Sequence, residues 1–287
     1  MIGNTRSSNS IRRGDRISAL AVLALLILVW PAMAGQTPGT TLVFAGSGTN
    51  LPIVRVLAKA FQSSHPGITI EVPASIGSSS GIRAVADGAI AIGLISRPMK
   101  ENEKRLGLDV VTYARTPLVI GVHTSVAEDG ISYAEIIDIY RGKKKTWKDG
   151  RDIFVLTREP SDSTIEMMNK AVPRFREVYE ESRQDKHWTL ILNDLEMNQT
   201  LARVPHAIGF SDLGALTIER HRIKPLKVNG VAPTIRNTKE GKYPLVKPLM
   251  FVYHKEKLPP AAREFLAFVS SKKGAHILRT NGYLPEK

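Results

Sequence analysis

The sequence predicts an α/β fold in which a mostly parallel sheet is covered by helices. Short apolar runs alternate along the chain with segments of helical periodicity, and AIAIGLIS (89–96) is apolar enough to be a strand buried on both faces. Repeated strand–helix units of this kind are typical of parallel sheets packed between helices. The chain has no internal repeat and no Pro/Ser-rich linker, which favours closely built lobes over separate domains.

The predicted elements begin with the strand TLVFAG (41–46) and the helix LPIVRVLAKAFQSSH (51–65). The same patterns predict, in order, a strand at 68–75, a helix at 81–88, a strand at 89–96, two adjacent strands at 109–123, a helix at 132–142, a strand at 152–157, a helix from 163 to about 179 broken at Pro173, a helix at 193–205, a strand at 207–212, an extended segment at 243–255 and a final helix at 259–282.

The first 34 residues have the layout of a cleavable secretory signal peptide. Four arginines are followed by the apolar run 17–30 and by the small-residue site Ala32–Ala34. A membrane anchor is the alternative, but about 14 apolar residues are fewer than the roughly 20 that a span needs. The chain has no cysteine that could carry a lipid anchor. We therefore expect a soluble protein that is exported to the periplasm.

Composition excludes several classes of site. The absence of cysteine excludes disulfides, thiolate metal sites and cysteine nucleophiles. The seven histidines are scattered without metal-ligand spacing, so neither a metal nor another cofactor is expected. The net charge of +13 indicates an acidic partner, solute or surface, or simply a solvated basic surface. Few aromatic residues and no recognition motif argue against nucleic acid.

Three polar loops share one design, in which each follows a predicted strand and precedes a predicted helix. They are AGSGTN (45–50), SIGSSSG (75–81) and TREPSDST (157–164). Each places small residues and hydroxyls where a helix exposes unpaired N–H groups, an arrangement that binds anions. Loops at the carboxyl ends of parallel strands are also where α/β sheets bind ligands. Together with Arg158, the three loops favour a shared anion site.

Two other interpretations of these loops are open. Each loop alone is explained by ordinary helix N-capping, and Ser163–Glu166 fits a capping box. The segment Gly77–Gly81 also matches G-x-S-x-G, the nucleophile elbow of serine hydrolases, with Ser79 as the nucleophile. That elbow would follow only two strands, and no histidine stands in a context that marks it as the base. An enzyme is therefore not expected.

The three loops, in this order, resemble those of the phosphate-binding proteins of Pst-type ABC importers. The similarity extends over essentially the whole chain after residue 34. It is carried by SIGSSSGIRAVADGAIAIGLISRPM (75–99), SYAEIIDIYRGKKKTW (132–147), AIGFSDLGAL (207–216) and NGYLP (281–285). The combination of SIGSSSGI with GLISRP is much more specific than either piece.

The resemblance implies a type II periplasmic-binding-protein-like fold, with two doubly wound α/β lobes joined by two crossover segments. The crossovers are expected near 117–122 and 246–250, so that residues 35–117 and 247–287 form one lobe and 118–246 the other. It further implies a monomeric solute-binding protein that captures an oxyanion, phosphate foremost, and a membrane permease that reads the closed form. The alternative is the same fold with an altered ligand site, acting as a sensor or interaction protein.

The resemblance also assigns ligand-binding residues loop by loop. Thr49 and Asn50 occupy the first loop, and Ser78, with Ser79 beside it, matches the serine of the second. In the third loop, Arg158 matches the arginine that neutralises the anion and Thr164 matches the last hydroxyl.

The predicted ligand-binding residues depart from the family pattern at two places. Asp162 and Ser163 stand where the family usually has Ser-Gly, and Ser96 stands where some members have an aspartate that accepts the proton of hydrogen phosphate. One hypothesis is that the acceptor has moved to Asp162, which would bind a protonated oxyanion and reject sulfate. The alternative is that Asp162 is a plain N-cap that faces away from the ligand.

Overall fold

The structure is a computed structural model that describes residues 39–185 and 188–286, so the predicted signal peptide lies outside the described residues. The strands are β1 (Thr40–Gly46), β2 (Ile68–Glu71), β3 (Ile92–Ile95), β4 (Asp109–His123), β5 (Gly130–Ile131), β6 (Phe154–Thr157), β7 (Thr189–Leu190), β8 (Ala207–Asp212), β9 (Ile223–Pro225), β10 (Lys227–Val228), β11 (Val246–Tyr253) and β12 (Leu284–Pro285). The helices are α1 (Leu51–Gln62), α2 (Gly77–Ala86), α3 (Glu101–Lys104), α4 (Tyr133–Tyr140), α5 (Ser163–Ala171), α6 (Phe175–Asp185), α7 (Asp194–Arg203), α8 (Leu213–Glu219), α9 (Ile235–Lys239), α10 (Pro260–Ser270) and α11 (Lys272–Thr280).

The main sheet is parallel within each half of the molecule and antiparallel where the halves join. Its strand order is β2-β1-β3-β11-β4-β8-β6-β7, with β9 and β12 also paired to β4. Strands β2, β1 and β3 are parallel, as are β8, β6 and β7. Strand β11 runs antiparallel to both β3 and β4, and β4 runs antiparallel to β8. The prediction of a mostly parallel sheet therefore holds inside the halves but not for the connecting strands.

Strand β4 passes from one half of the molecule to the other. Its first part, Asp109–Pro117, pairs with β11, and its second part, Leu118–Val122, pairs with β8. The two predicted adjacent strands at 109–123 are thus one continuous strand of 15 residues. The burial pattern changes along this strand: Val110 and Val111 are exposed, whereas Leu118–Val122 is buried. A strand with such a change is not distinguished by periodicity from two adjacent strands.

Two separate hydrophobic cores lie on either side of this junction. One contains Phe44, Phe61 and Phe265 together with side chains of β3 and β11. The other contains Ile120, Phe175, Phe210 and the helices α4, α5 and α6. Full burial of such a side chain contributes about 1.5–3 kcal/mol, so each half is stabilised by its own packing.

Two helices differ from the sequence prediction for local reasons. Helix α2 begins at Gly77, four residues before the predicted start, so that the serine-rich loop forms its first turn. The predicted final helix is divided into α10 and α11 because Ser271 is extended and its side chain caps α11 by accepting from the Gly274 N–H. The break near Pro173 separates α5 from α6.

Candidate anion-binding site

A cavity of about 320 Å³ lies between the two halves of the molecule and collects all three polar loops. The first half contributes Ser47 and Gly48 together with residues 75–80. The second half contributes Arg158, Glu159, Ser161, Asp162, Ser163 and Leu192. Five of the nine predicted ligand-binding residues line it: Ser78, Ser79, Arg158, Asp162 and Ser163.

The first loop presents Ser47 to the cavity rather than the predicted pair Thr49 and Asn50. A short 3₁₀ turn at Gly48–Asn50 carries these two residues inward. Asn50 is fully buried and its side-chain oxygen accepts a hydrogen bond of 2.7 Å from the Tyr113 hydroxyl. Gly48 allows a close approach, because a Cβ there would lie 1.9 Å from the Asp194 carboxylate.

The second loop places Ser78 and Ser79 in the first turn of α2. Ser78 is buried, and its hydroxyl accepts from the Ser96 N–H at 3.3 Å, so its own proton is available to the cavity. The Ser79 hydroxyl accepts from the Arg97 guanidinium at 2.8 Å. A guanidinium cannot act as a general base, so the neighbour that the structure gives Ser79 does not activate it as a nucleophile.

The third loop holds Arg158 at the end of β6, where it is buried to 5 % exposure. Its guanidinium donates to the Ile191 carbonyl at 2.9 Å and to Asp162 Oδ2 through Nη2 and Nε at 2.7 and 3.2 Å. These bonds use three of the five N–H groups of the guanidinium. The Tyr179 hydroxyl donates to the Arg158 carbonyl and fixes the backbone. Arg158 is therefore positioned firmly and keeps donors for a ligand.

Asp162 is the N-cap of α5, and it also lies on the cavity wall. Its Oδ1 accepts from the Thr164 N–H at 2.8 Å, while Oδ2 pairs with Arg158. Burial alone would raise the pKa of Asp162, but the Arg158 and Lys247 charges, together with the hydrogen bonds from the Thr164 N–H and Arg158, outweigh burial and hold that pKa below its usual value. An ionised carboxylate with spare lone pairs therefore faces the cavity, and it can accept a hydrogen bond from a protonated ligand oxygen.

Ser96 lies behind the cavity wall and joins the two halves of the molecule. Its hydroxyl lies 2.6 Å from the Ser47 hydroxyl and 2.8 Å from the Ser163 hydroxyl. Ser47 and Ser163 both line the cavity, whereas Ser96 is 1 % exposed. In this geometry, the predicted ligand residue Ser96 connects two hydroxyls that reach the cavity.

Lys247 on β11 is a site residue that the sequence reasoning missed. It is 1 % exposed, and its Nζ donates to Thr49 Oγ1, Thr164 Oγ1 and Ser163 Oγ at 2.8, 2.9 and 3.1 Å. The signal was a single lysine inside the apolar stretch YPLVKPLMFVY. A charge is rarely fully buried unless it is paired or hydrogen-bonded, so a lysine in a buried strand indicates a polar site.

A narrower space behind the cavity is lined by Lys247, Thr49, Thr164 and Arg158 together with Asp194 and Asp212. Burial raises the pKa of Asp212 to about 7, although the Ala215 N–H and the Lys247 charge act in the opposite direction. Burial and the neighbouring Asp162 charge also raise the pKa of Asp194. Burial therefore disfavours the ionised form of both inner carboxyl groups.

An ion-pair network beside the cavity connects the two halves. Arg97 and Lys100 follow β3, and Glu166 projects from α5. Glu166 lies 3.2 Å from Arg97 Nε and 2.6 Å from Lys100 Nζ. Arg97 is also bound in a bidentate pair to Glu103 at 2.6 and 2.7 Å. The first turn of α5 is thereby tied to the loop that follows β3.

Two doubly wound α/β lobes joined by crossover strands, with a polar cavity between them, define a type II periplasmic-binding-protein-like solute-binding protein. A family model for the PBP superfamily domain matches residues 31–273. The chain belongs to this superfamily.

Curated proteins that are similar to this chain over most of its length carry phosphate-binding names. The chain is 29% identical over 255 residues to the phosphate-binding protein PstS of Bacillus subtilis, covering 85% of this chain and 80% of that protein. It is 27% identical over 265 residues to PstS of Staphylococcus haemolyticus, covering 84% and 80% of the two chains.

The similar solved structures share the fold. A protein from Clostridium perfringens, described as a phosphate ABC transporter substrate-binding protein with bound phosphate, has a TM-score of 0.78 and 25% identity, over 86% of this chain and all of that one. A phosphate transport receptor from Vibrio cholerae has a TM-score of 0.64 and 22% identity, over 85% and 99% of the two chains, and shows the fold alone.

Two features are absent from residues 39–185 and 188–286. In this part of the chain, no helix combines the length and the apolar character that crossing a bilayer requires. The same residues contain no group of three histidine, cysteine, aspartate or glutamate side chains arranged to hold a metal ion.

Proposed function

We propose that this protein is an exported solute-binding protein that captures phosphate between its lobes and delivers it to an ABC importer. The observation that carries the proposal is Arg158, a buried arginine with unused donors, at a cavity lined by Ser47, Ser78 and Ser163. A guanidinium and hydroxyl donors are the groups that bind tetrahedral oxyanions. The phosphate-binding names of the relatives support the choice of phosphate.

Two helices strengthen the anion preference of this cavity. The first turn of α2 and the N-terminus of α5 both reach its wall. Helix N-termini carry unpaired N–H groups and the positive end of the helix dipole, and they come here from opposite lobes. An anion held by both is therefore bound best when the lobes are closed.

The mixture of donors and one acceptor favours a protonated oxyanion. The serines and Arg158 donate to unprotonated oxygens, whereas the ionised Asp162 accepts and repels additional negative charge. Hydrogen phosphate has both kinds of oxygen, and sulfate has only unprotonated ones. The relocation of the acceptor to Asp162 is thus part of this proposal.

The lobe boundaries that we propose are 35–117 with 247–287, and 118–246. The two cores and the passage of β4 between them at Pro117 and Leu118 support this division. Closure would bring Glu166 to Arg97 and Lys100, and Ser163 to Ser96, as the structure has them. A permease would then recognise the closed form, because only that form completes the ligand contacts.

Titration calorimetry of the purified chain without residues 1–34 tests the proposal. We expect micromolar or tighter binding of phosphate and weaker binding of phosphonate, sulfate and molybdate. Arg158→Lys is the matched variant, since it keeps the charge but loses the planar guanidinium. If none of the four anions binds at micromolar concentration, oxyanion capture is wrong for this protein.

A second candidate function is that of a sensor or interaction protein without transport. It is favoured by the pairing of Arg158 with Asp162, which neutralises part of the charge that an anion would use. Phosphate binding without phosphate uptake, measured in proteoliposomes that contain the permease and ATPase from the same genome, would favour this candidate over transport.

A further inference from the structure

We propose that Lys247 is a positioning residue for oxyanion binding: it keeps the hydroxyl protons of the site directed away from β11 and leaves one of them for the ligand. This inference rests on the proposed function, because it concerns the same cavity. It adds a residue outside the three predicted loops and gives Ser96 a role different from direct ligand contact.

The first step is the geometry around the Lys247 nitrogen. Three hydroxyl oxygens surround Nζ, those of Thr49, Thr164 and Ser163, at 2.8, 2.9 and 3.1 Å. A lysine ammonium has three N–H donors and no acceptor, so the three oxygens match its three protons. None of these three hydroxyls can direct its own proton at Lys247.

A row of three hydrogen-bonded serines starts at this lysine. Ser163 is linked to Ser96, and Ser96 to Ser47, by contacts of 2.8 and 2.6 Å. The three hydroxyls have three protons, and their two mutual hydrogen bonds use two of them. Because Lys247 can take none, one proton remains for another acceptor.

The remaining hydroxyl proton lies at one end of this row of three serines. Ser47 and Ser163 stand at the two ends of the chain, and both line the cavity, whereas Ser96 is 1 % exposed. If Ser163 donates to Ser96 and Ser96 donates to Ser47, the unused hydroxyl proton is on Ser47. If the hydrogen bonds run in the opposite direction, the unused proton is on Ser163. A third arrangement, in which Ser47 and Ser163 both donate to Ser96, would leave the buried Ser96 proton without an acceptor, which costs about 1–3 kcal/mol. The two arrangements that place a hydroxyl donor at the cavity are therefore favoured.

A residue able to accept a hydrogen bond at position 247 would change this balance. A glutamine there offers a carbonyl oxygen, to which Ser163 can donate, and the serine chain can then be left without a donor for the ligand. An arginine offers only donors and retains the original arrangement. If Lys247 only filled space, Lys247→Arg would weaken phosphate binding more than Lys247→Gln, because glutamine fits the space of lysine more readily than arginine does.

Calorimetry with phosphate on Lys247→Gln, Lys247→Arg and Ser163→Ala tests the inference. We expect Lys247→Gln to weaken binding at least tenfold, Lys247→Arg to remain within about threefold of the original chain, and the exposed control Lys242→Met to change nothing. The double variant of Lys247→Gln with Ser163→Ala should bind phosphate at most about twofold more weakly than the weaker-binding of the two single variants.

Multiplicative losses in that double variant would overturn the inference, since Lys247 would then act by charge alone and not through Ser163. Should Lys247→Gln not fold, Lys247→Asn takes its place in the cycle, because it also offers a carbonyl oxygen, and Lys247→Met serves as the variant without a strong acceptor. If the original chain binds no phosphate, the proposed function fails by itself. The free protein then decides about Lys247: with ¹⁵N-lysine labelling, NMR should detect a slowly exchanging ammonium that is absent in the Met variant, and rapid exchange with water would overturn the assignment.

Discussion

Arg97 and Arg158 are both almost fully buried, at 4 % and 5 % exposure, yet their hydrogen bonds differ. Both Nη groups of Arg97 have donated all their protons, to Glu103, Pro98 and Ser79, and Nε lies 3.2 Å from Glu166. Arg158 has used three of five N–H groups.

Arg97 is a structural arginine, whereas Arg158 can bind a ligand. Two carboxylates compensate the charge of Arg97, and the contacts hold the loop after β3 against α5. Arg158 has one close carboxylate, Asp162, and a second, Asp194, at 3.7 Å, and it lies at the cavity. Burial alone does not reveal function; the number of unused donors does.

The largest expected effect is on stability, from Arg97→Gln. The change leaves Glu103 buried without its cation, and loss of one partner of a buried ion pair costs about 3–5 kcal/mol. We expect the free energy of unfolding to fall by this amount in urea denaturation, while phosphate affinity falls by less than about tenfold, through loss of the Arg97 contacts with Glu166 and Ser79. Arg115→Gln is the control, because Arg115 pairs with Glu286 at the surface and such pairs contribute less than about 1 kcal/mol. A large loss of affinity at full stability would remove the distinction between the two arginines.

The next effect is on affinity, from Arg158→Lys. A lysine keeps the charge but cannot reproduce the guanidinium bonds to Asp162 and Ile191 while also donating to a ligand. We expect phosphate affinity to fall about 100-fold, which corresponds to roughly 2.7 kcal/mol, as measured by calorimetry. Arg174→Lys, at an exposed position, should change affinity by less than about twofold. Unchanged affinity in Arg158→Lys would place the ligand elsewhere.

Asp212 shows what happens to a buried carboxyl that has no arginine beside it. Burial would raise the pKa of Glu103, but hydrogen bonds from Arg97 and the Lys100 N–H, together with the charges of both residues, keep that pKa below its usual value. Burial raises the pKa of Asp212 from 3.8 to about 7. Between pH 3.8 and about pH 7, Asp212 keeps a proton in the folded state that it has lost in the unfolded chain. Stability is therefore expected to fall as the pH rises, by at most about 1.4 kcal/mol per pH unit from this group.

Asp212→Asn should remove this contribution while keeping the cap on α8, since an asparagine oxygen can still accept from the Ala215 N–H. Urea denaturation of both proteins at several pH values between 4 and 7 measures the difference in slope. Parallel stability curves for the two proteins would show that Asp212 is ionised throughout this interval.

The smallest expected effect concerns selectivity, from Asp162→Asn. Asparagine can cap α5 through the Thr164 N–H, but it no longer repels a fully ionised anion. We expect sulfate affinity to rise about fivefold more than phosphate affinity, a difference of roughly 1 kcal/mol. Competition calorimetry measures the ratio. An unchanged phosphate-over-sulfate preference would show that Asp162 serves only as a cap and as the partner of Arg158.

Several of the predicted ligand-binding residues line the cavity, and those of the first loop lie elsewhere for a local reason. Arg158, Asp162, Ser163 and Ser78 lie on the cavity because their loops directly precede helices, a relation that is visible in the sequence. Thr49 and Asn50 were assigned to the cavity wall because they lie in the correct loop. The 3₁₀ turn at 48–50 buries both residues instead, and such a turn has no distinctive sequence signal.

The sequence by itself determined the fold class, the order of the elements and the three polar loops, because hydrophobic periodicity and helix capping act between residues close along the chain. Only the tertiary structure decided which groups share the cavity. Lys247 meets Thr49, 198 residues away, and Ser96 meets Ser163, 67 residues away. The number of donors that a buried arginine has left, one on Arg97 and two on Arg158, is likewise set by partners that folding brings from distant segments, so no local pattern records it.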